Sequence, residues 1–220
     1  MKYRTVLLVA IALFYASFLG GGAFNFSYSS SSHDSVRVVM KSTPMHVAAW
    51  FVALVAYSLP FVLRDRLSWS DYRAGLVRRF FGFAIDFHIC FVLATVPFTL
   101  VALGLESQST GEFVWSFDRD ERIESDVFIM PLFFATTAIL LVLLSLPLAR
   151  EKRSVGATAL GYGLRAENPI SLFASCRRTL FGFFTMAAGI MSIPTAAKRD
   201  DRRMWHDLSS NVHPVEVKMQ

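Results

Sequence analysis

Long stretches of consecutive apolar residues dominate the hydropathy pattern of this chain. Four of them are about 20 residues long: Thr5 to Phe24, Pro44 to Leu63, about Phe80 to Leu103, and Val127 to Leu148. Because about 20 apolar residues in a helix span the hydrocarbon core of a bilayer, each stretch predicts a transmembrane helix. The pattern therefore predicts an all-α polytopic membrane protein.

A fifth apolar segment, residues 172–197, has a different pattern. Arg177 and Arg178 interrupt its start, and its strongly apolar centre runs only from Leu180 to Ile193. An apolar stretch of about 10–14 residues is more typical of a re-entrant or interfacial element than of a full span. Tilting of the helix or local thinning of the bilayer would still allow this segment to cross.

The distribution of Lys and Arg predicts the orientation of the chain. If the chain starts inside, four helices cross and the C-terminal stretch stays inside, then 18 Lys and Arg residues lie inside and 4 outside. If the fifth segment also crosses, the ratio becomes 13 to 9. Because cytoplasmic loops are enriched in Lys and Arg, we predict four spans plus a re-entrant or interfacial fifth segment, with both termini in the cytoplasm.

The first apolar stretch is either an uncleaved anchor or a signal peptide. Gly21 and Ala23 would make a tolerable small-residue cleavage site, but the apolar run is longer than the 7–15 residues typical of a signal-peptide core. We prefer the uncleaved anchor. In either case Asn25 to Lys41 lies outside, where the serine run Ser29 to Ser32 predicts a flexible polar loop, and the loop Leu105 to Asp126 is predicted outside as well.

The chain is predicted to have two parts. Residues 1–66 form an N-terminal transmembrane hairpin with the serine-rich outer loop, and residues 67–220 form the main membrane domain with the cytoplasmic C-terminal tail. A chain of 220 residues with several spans has little length left for a separate soluble domain.

Composition supports the membrane location and excludes other classes of protein. Hydrophobic residues make up 54% of the chain and charged residues 18%, against roughly a quarter charged in soluble domains. The net charge of +5 is explained by basic inner loops, so we expect no nucleic-acid partner. The five His and two Cys residues show no ligand-like spacing, and phosphate-loop, nucleophile-elbow and zinc-protease motifs are missing from the sequence. We therefore expect no enzyme activity, no metal and no cofactor.

Asp86 is the charged residue within the third predicted span. An ionisable group at the centre of a span costs roughly 2.5–3.5 kcal/mol on insertion scales, so it indicates a function or a buried partner. Arg79 lies two helical turns earlier on the same face, about 10.5 Å away along the axis. A direct partner would come from another helix, a water, Arg177 or Arg178. Asp86 then either takes up a proton or small cation, or belongs to a buried ion pair that fixes helix packing.

Two sequence motifs resemble those of a known family. Arg79, Gly82 and Asp86 lie in the sequence RFFGFAID, in which an arginine is followed by a small residue and then by Ile-Asp. Ser154-Val155-Gly156, with Gly161 five residues after it, is similar to a Thr-x-Gly segment. Both resemble motifs of the RDD family of bacterial integral membrane proteins, which is named for an arginine and two aspartates.

Motifs near the C-terminus extend this resemblance to about residues 72–217. Arg178, or Arg177, resembles a family arginine that precedes the last apolar segment, and His206-Asp207 resembles the closing motif with the second family aspartate. The resemblance implies a bacterial inner-membrane location. The activity of the family is mostly unassigned, with transport proposed for it and ion or proton exchange suggested for some members, so the resemblance implies architecture more than mechanism.

The resemblance also implies a small cytoplasmic sheet near the C-terminus. In that arrangement the strand from Gly163 to Glu167 pairs with the tail from Val212 to Val217. Because proline cannot donate to a β-ladder, Pro214 is then expected at an unpaired edge.

Two functions are compatible with these residues. The first is a small, oligomeric transporter or transporter subunit for protons, monovalent cations or a small solute, in which Asp86 with Arg79 and Arg178 lines a polar cavity in the inner half of the membrane. The second is a non-catalytic scaffold or accessory subunit of a membrane complex. Its partners would be the lipid bilayer and either a second copy of the chain or another membrane protein.

The basic clusters after residues 149 and 197 could also bind anionic lipid, but the positive-inside rule alone explains them and is the preferred interpretation.

Overall fold

Seven helices form the frame of the described structure. The computed structural model describes residues 2–30, 36–62, 68–120, 127–166, 168–187, 196–198 and 203–218. In these ranges the helices are α1 (Lys2–Gly20), α2 (Pro44–Val62), α3 (Leu76–Thr110), α4 (Ile129–Ala149), α5 (Val155–Leu160), α6 (Leu172–Ala187) and α7 (Trp205–Leu208).

Three of these helices match predicted spans. By length and apolar composition, α2, α3 and α4 are each able to cross a membrane, whereas the apolar part of α1, Arg4–Gly20, is shorter. The fifth predicted segment begins as α6, and residues 188–195 of that segment lie outside the described residues. The structure thus shows a mostly helical membrane protein with three candidate spans, and the count of four spans plus one stays a prediction.

α3 is longer than its predicted span of about Phe80 to Leu103. Its 35 residues correspond to about 52 Å at 1.5 Å per residue, which exceeds a hydrocarbon core of about 30 Å. The helix ends at Gly111, which adopts a left-handed conformation and donates its N–H to the carbonyl oxygen of Ser107 at 2.8 Å. The predicted outer loop from Leu105 is therefore helical up to Thr110.

A three-stranded antiparallel sheet lies beyond the C-terminal end of α3. Its order is β1 (Asn25–Ser30), β2 (Val36–Lys41) and β4 (Ser116–Arg119). The flexible loop predicted for residues 25–41 is therefore wrong, because both flanks of this segment are strands. Apolar or aromatic side chains alternate with polar ones among these serines. On one face of the sheet, Phe26 pairs with Met40 and Tyr28 with Val38. Ser31 and Ser32 lie outside the described residues.

A second antiparallel sheet lies at the opposite end of the bundle, beside the start of α3. Its order is β3 (Ser68–Arg73), β6 (Val212–Lys218) and β5 (Tyr162–Ala166). The predicted pairing of the last two strands is confirmed by the register Gly163 to Val215, while Glu167 lies outside the described residues. The edge position expected for Pro214 is wrong because β6 is the central strand. The carbonyl oxygen of Pro214 accepts the N–H of Ala74 at 3.2 Å. The Pro214 nitrogen, which carries no hydrogen to donate, therefore faces the point where β3 ends.

The N-terminal hairpin shares one hydrophobic core with the rest of the chain. Buried side chains of α1 and α2 pack with those of α3 and α5, and the core consists mainly of Leu7, Phe14, Ala49, Ala53, Ile89, Val92, Val96, Val155 and Ala159. Arg4 Nε donates to the carbonyl oxygen of Ala159 at 3.0 Å, which places the start of α1 at the end of the bundle that carries α5. Cleavage after Ala23 would remove the α1 side chains from this core.

Candidate functional site

A buried cluster of ions joins three helices near the second sheet. The Asp207 side chain on α7 is fully buried, and its two carboxylate oxygens accept hydrogen bonds from the guanidinium groups of Arg79 on α3 and Arg178 on α6. Both arginine side chains are also more than nine-tenths buried. We call these three residues the Arg-Asp-Arg triad. It fixes the positions of helices that are far apart in the sequence.

The surroundings of Asp207 determine the charge of the triad. Burial by itself raises the pKa of this carboxyl, but the guanidinium groups of Arg79 and Arg178 hold the pKa well below its usual range. Its Oδ2 also accepts the N–H of Met204 at 3.2 Å, which caps the start of α7. Burial lowers the pKa of the adjacent His206 to about 4, although the Asp207 carboxylate acts in the opposite direction. At neutral pH His206 is therefore neutral, and the triad carries a net charge of +1.

Asp86 lies two helical turns further along α3 and has a different partner. Its Oδ1 accepts the backbone N–H of Gly156, at the start of α5, at 2.7 Å. This partner comes from another helix, which is one of the alternatives that the sequence left open. Of the two candidate arginines on α6, Arg178 joins the triad and Arg177 is exposed. The two aspartates of the motifs therefore bind different groups.

Two motif glycines allow the backbones of α3 and α5 to touch. A Cβ atom on Gly156 would overlap the carbonyl oxygen of Gly82 and lie 2.7 Å from its carbonyl carbon. On the other side, a Cβ atom on Gly82 would lie 2.7 Å from Cε1 of Tyr162, whose hydroxyl donates to the carbonyl oxygen of Arg79 at 3.4 Å. Only glycine at both positions brings the N–H of Gly156 within reach of Asp86.

A third motif glycine ends α5. Gly161 has a φ of +73°, a left-handed conformation that glycine adopts without steric cost, and its N–H bonds back to the last turn of the helix. The chain then enters β5 directly, which places Tyr162 against α3.

A cavity of about 390 Å³ lies between α3, α4 and α6, beside the contact between α3 and α5. Four cationic side chains line it, from Arg79, Lys152, Arg153 and Arg178, together with the half-buried carboxylate of Asp86. The other walls are largely apolar and include Val77, Phe80, Phe83, Leu144, Pro147 and Leu148. In the described ranges no three His, Cys, Asp or Glu side chains converge in a way that could hold a metal ion. The cavity is thus amphipathic, and basic side chains predominate among its charged residues.

The sequence did not reveal several residues of this cavity. Arg153 belongs to a cluster that the positive-inside rule explains, yet its side chain is nine-tenths buried. Tyr162 lies between two glycines but carries no local signal of its contact with α3. On α6, Ser175 Oγ donates to the carbonyl oxygen of Ser145 at 2.8 Å and so attaches that helix to α4. The spacing of the polar residues Ser175, Arg178 and Thr179 on a largely apolar helix is the one signal that could have predicted an inward polar face.

These features define a class of protein. Long apolar helices that enclose a charged cavity are the architecture of a polytopic membrane protein. The sequence model of the RDD family matches residues 73–211, well over half of the chain, and the protein belongs to this family. The resemblance stated from the motifs is thereby confirmed. No curated protein and no solved structure matches this chain.

Proposed function

We propose that this RDD-family protein is a small transporter, or a transporter subunit, of the bacterial inner membrane that exchanges protons or monovalent cations at Asp86. One observation carries this proposal. Asp86 lies inside a candidate span and faces the cavity, while its hydrogen bonds in the described part of the chain come from neutral groups, the backbone N–H groups of Gly156 and Val155 and the hydroxyl of Ser154. Arg79 and Arg178 bind Asp207, so the Asp86 carboxylate is available to exchange a proton.

The cavity supports access to Asp86 from one side of the membrane. Its lining residues on α3 run from Leu76, at the end of the bundle that carries the second sheet, to Asp86, about three turns further along the helix. Further along α3, the buried side chains of Ile89, Val92, Leu93 and Val96 belong to the hydrophobic core. Four cationic side chains disfavour a metal cation in this space, whereas a proton needs no coordination shell. The proposal therefore favours the proton.

We infer that four helices cross and that both termini are cytoplasmic. The start of α1 contacts α5, and β6 belongs to the sheet at that same end, so the two termini lie together. That arrangement favours an even number of crossings, and α1 would add a fourth to the three candidate spans. α6 has polar residues on its inner face and strongly exposed Phe173 and Phe184 on the other, which supports an element embedded from one side.

Asp86→Asn is expected to lower proton flux at least tenfold in liposomes that contain the purified protein. Asparagine keeps an oxygen that can accept the N–H of Gly156, so the contact between α3 and α5 is retained while the exchangeable proton is lost. Flux is measured with a pH-sensitive dye trapped inside the vesicles after an imposed pH step.

Asp118→Asn is the matched control, because Asp118 is an exposed carboxylate on β4 that pairs with Arg37 far from the cavity. This variant is expected to transport like the wild type. Equal flux in wild type and Asp86→Asn, with equal insertion and thermal stability, would refute the role of Asp86.

A second candidate function is that of a non-catalytic subunit that assembles through α4. Only 6% of the apolar stretch of this helix is buried, and the helix exposes Phe133, Phe134, Ile139 and Val142. An exposed apolar face of this kind is able to contact lipid or another membrane protein.

Self-association through α4 predicts a disulfide-linked dimer of Phe134→Cys in membranes, after Cys90 and Cys176 have been replaced by alanine. Val9→Cys on α1 is the control, since Val9 is also more than half exposed on an apolar helix. Efficient crosslinking at position 134 and little at position 9 would support this assembly. If neither position crosslinks, self-association through this face of α4 is refuted.

A further inference from the structure

The charge of the cavity is unusual for a site that would handle only protons. The triad contributes a net positive charge to its wall, and Lys152 and Arg153 add two further cationic side chains at the connection between α4 and α5. Among the described lining residues, Asp86 is the only carboxylate. Cationic side chains collected in a space with apolar walls favour an anionic ligand, and arginine in particular binds phosphate with two parallel hydrogen bonds.

The burial of Arg153 is not explained by membrane topology. A positive charge that only orients the chain needs no more than a place in an inner loop, as Arg150 has, whose side chain is exposed and does not line the cavity. Arg153 is three residues further on, nine-tenths buried and part of the cavity wall. Besides the interaction that it makes within the protein, its guanidinium group therefore adds a buried positive charge to the wall of this space.

Arg178 provides a second, independent observation. Its side chain is nine-tenths buried and lines the cavity, and its Nη2 is used by Asp207. Its Nε is buried without a hydrogen-bond partner among the described residues. A buried donor left unsatisfied is destabilising, and an anionic oxygen in the cavity would satisfy it.

The apolar walls distinguish an anionic lipid from a free anion. Val77 and Phe80 line the cavity and are at the same time 71% and 57% exposed on the outer surface of α3, an apolar surface that suits fatty acyl chains. Leu144 and Leu148 continue this surface on α4. Inorganic phosphate would gain nothing from these side chains. The volume of about 390 Å³ is within the range of about 300–1,000 Å³ for ligand-binding pockets.

We propose that this cavity is a specific site for an anionic phospholipid. Its phosphate group binds among Lys152, Arg153 and Arg178, and its acyl chains lie along the apolar residues of α3 and α4. The site does not depend on the proposed transport activity, because a lipid can occupy it whether or not Asp86 exchanges protons.

The test uses the full-length protein in nanodiscs that contain equal amounts of phosphatidylglycerol and phosphatidylcholine, with retained lipid counted by native mass spectrometry after release. We expect selective retention of phosphatidylglycerol. Because each basic residue near anionic headgroups is worth about a fivefold change in binding, Lys152→Gln should lower retention about fivefold, and Arg153→Gln at least as much.

Arg150→Gln is the matched control, since Arg150 belongs to the same basic cluster but lies outside the cavity, and its effect should be under twofold. Equal losses in all three variants would show diffuse surface attraction and overturn the proposal. Protection against thermal unfolding by inorganic phosphate or glycerol phosphate equal to that by phosphatidylglycerol would identify a free-anion site and also overturn it. If Arg153→Gln does not fold, the exposed Lys152→Gln variant still decides the outcome.

Discussion

Asp207→Asn should lower the free energy of unfolding by about 3–5 kcal/mol, the cost of breaking a buried ion pair by removing one partner. Two guanidinium groups, those of Arg79 and Arg178, would remain buried without their common anion. Asparagine is nearly the same size and retains an acceptor for the N–H of Met204, so the effect reports the lost charge. Thermal or denaturant unfolding of the detergent-solubilised protein measures it.

Asp118→Asn is again the matched control, because it breaks an exposed ion pair with Arg37 and is expected to cost less than about 1 kcal/mol. A second comparison uses Arg178→Met combined with Asp207→Asn, which removes one of the unbalanced charges. The double variant should be less destabilised than the sum of the two single variants. If Asp207→Asn is as mild as the control, the triad does not hold the three helices together.

Gly156→Ala should destabilise the protein by about 3 kcal/mol or more. Its Cβ atom would meet the backbone of Gly82, which cannot rotate away as a side chain can, so α5 would have to move from α3. That movement would also break the hydrogen bond between Gly156 and Asp86, and hydrogen bonds to charged groups contribute about 1.5–3 kcal/mol. The thermal unfolding midpoint in detergent is the measurement.

Gly104→Ala is the control for this prediction. Gly104 lies in α3, and a Cβ atom there would have no atom within 4 Å outside the local helix backbone. Since alanine is the better helix former by up to about 1 kcal/mol, this substitution should be neutral or stabilising. Gly82→Ala should fall between the two, because its Cβ atom meets the side chain of Tyr162. Equal stability of Gly156→Ala and Gly104→Ala would contradict the close crossing of α3 and α5.

The two aspartates of the family motif therefore call for different experiments. Asp207 is fully buried between two arginines, so its substitution primarily changes stability. Asp86 is half-buried, faces the cavity and keeps its neutral partner when replaced by asparagine. A transport defect in an Asp207 variant would thus be difficult to separate from unfolding, whereas Asp86→Asn tests function in a protein that should remain folded.

The sequence by itself determined the class of the protein and the family. A bilayer requires about 20 consecutive apolar residues in a spanning helix, and this requirement is local, so the runs that became α2, α3 and α4 are visible in the sequence. The motifs with Arg79, Asp86 and Asp207 were likewise visible, because each consists of a few neighbouring residues. Their order along the chain was enough to predict the family that the sequence match then confirmed.

Only the tertiary structure decided which of these residues meet. Arg79 and Asp207 are 128 positions apart, and no local pattern records such a contact. Arg177 and Arg178 are neighbours in sequence, but side chains one residue apart point about 100° from each other on a helix, so packing against α7 selected Arg178. For the same reason, the sequence did not predict that the serine-rich segment forms a β-hairpin or that β6 is the central strand. Short strands gain their stability from pairing partners elsewhere in the chain, and the sequence of one strand does not specify its neighbours.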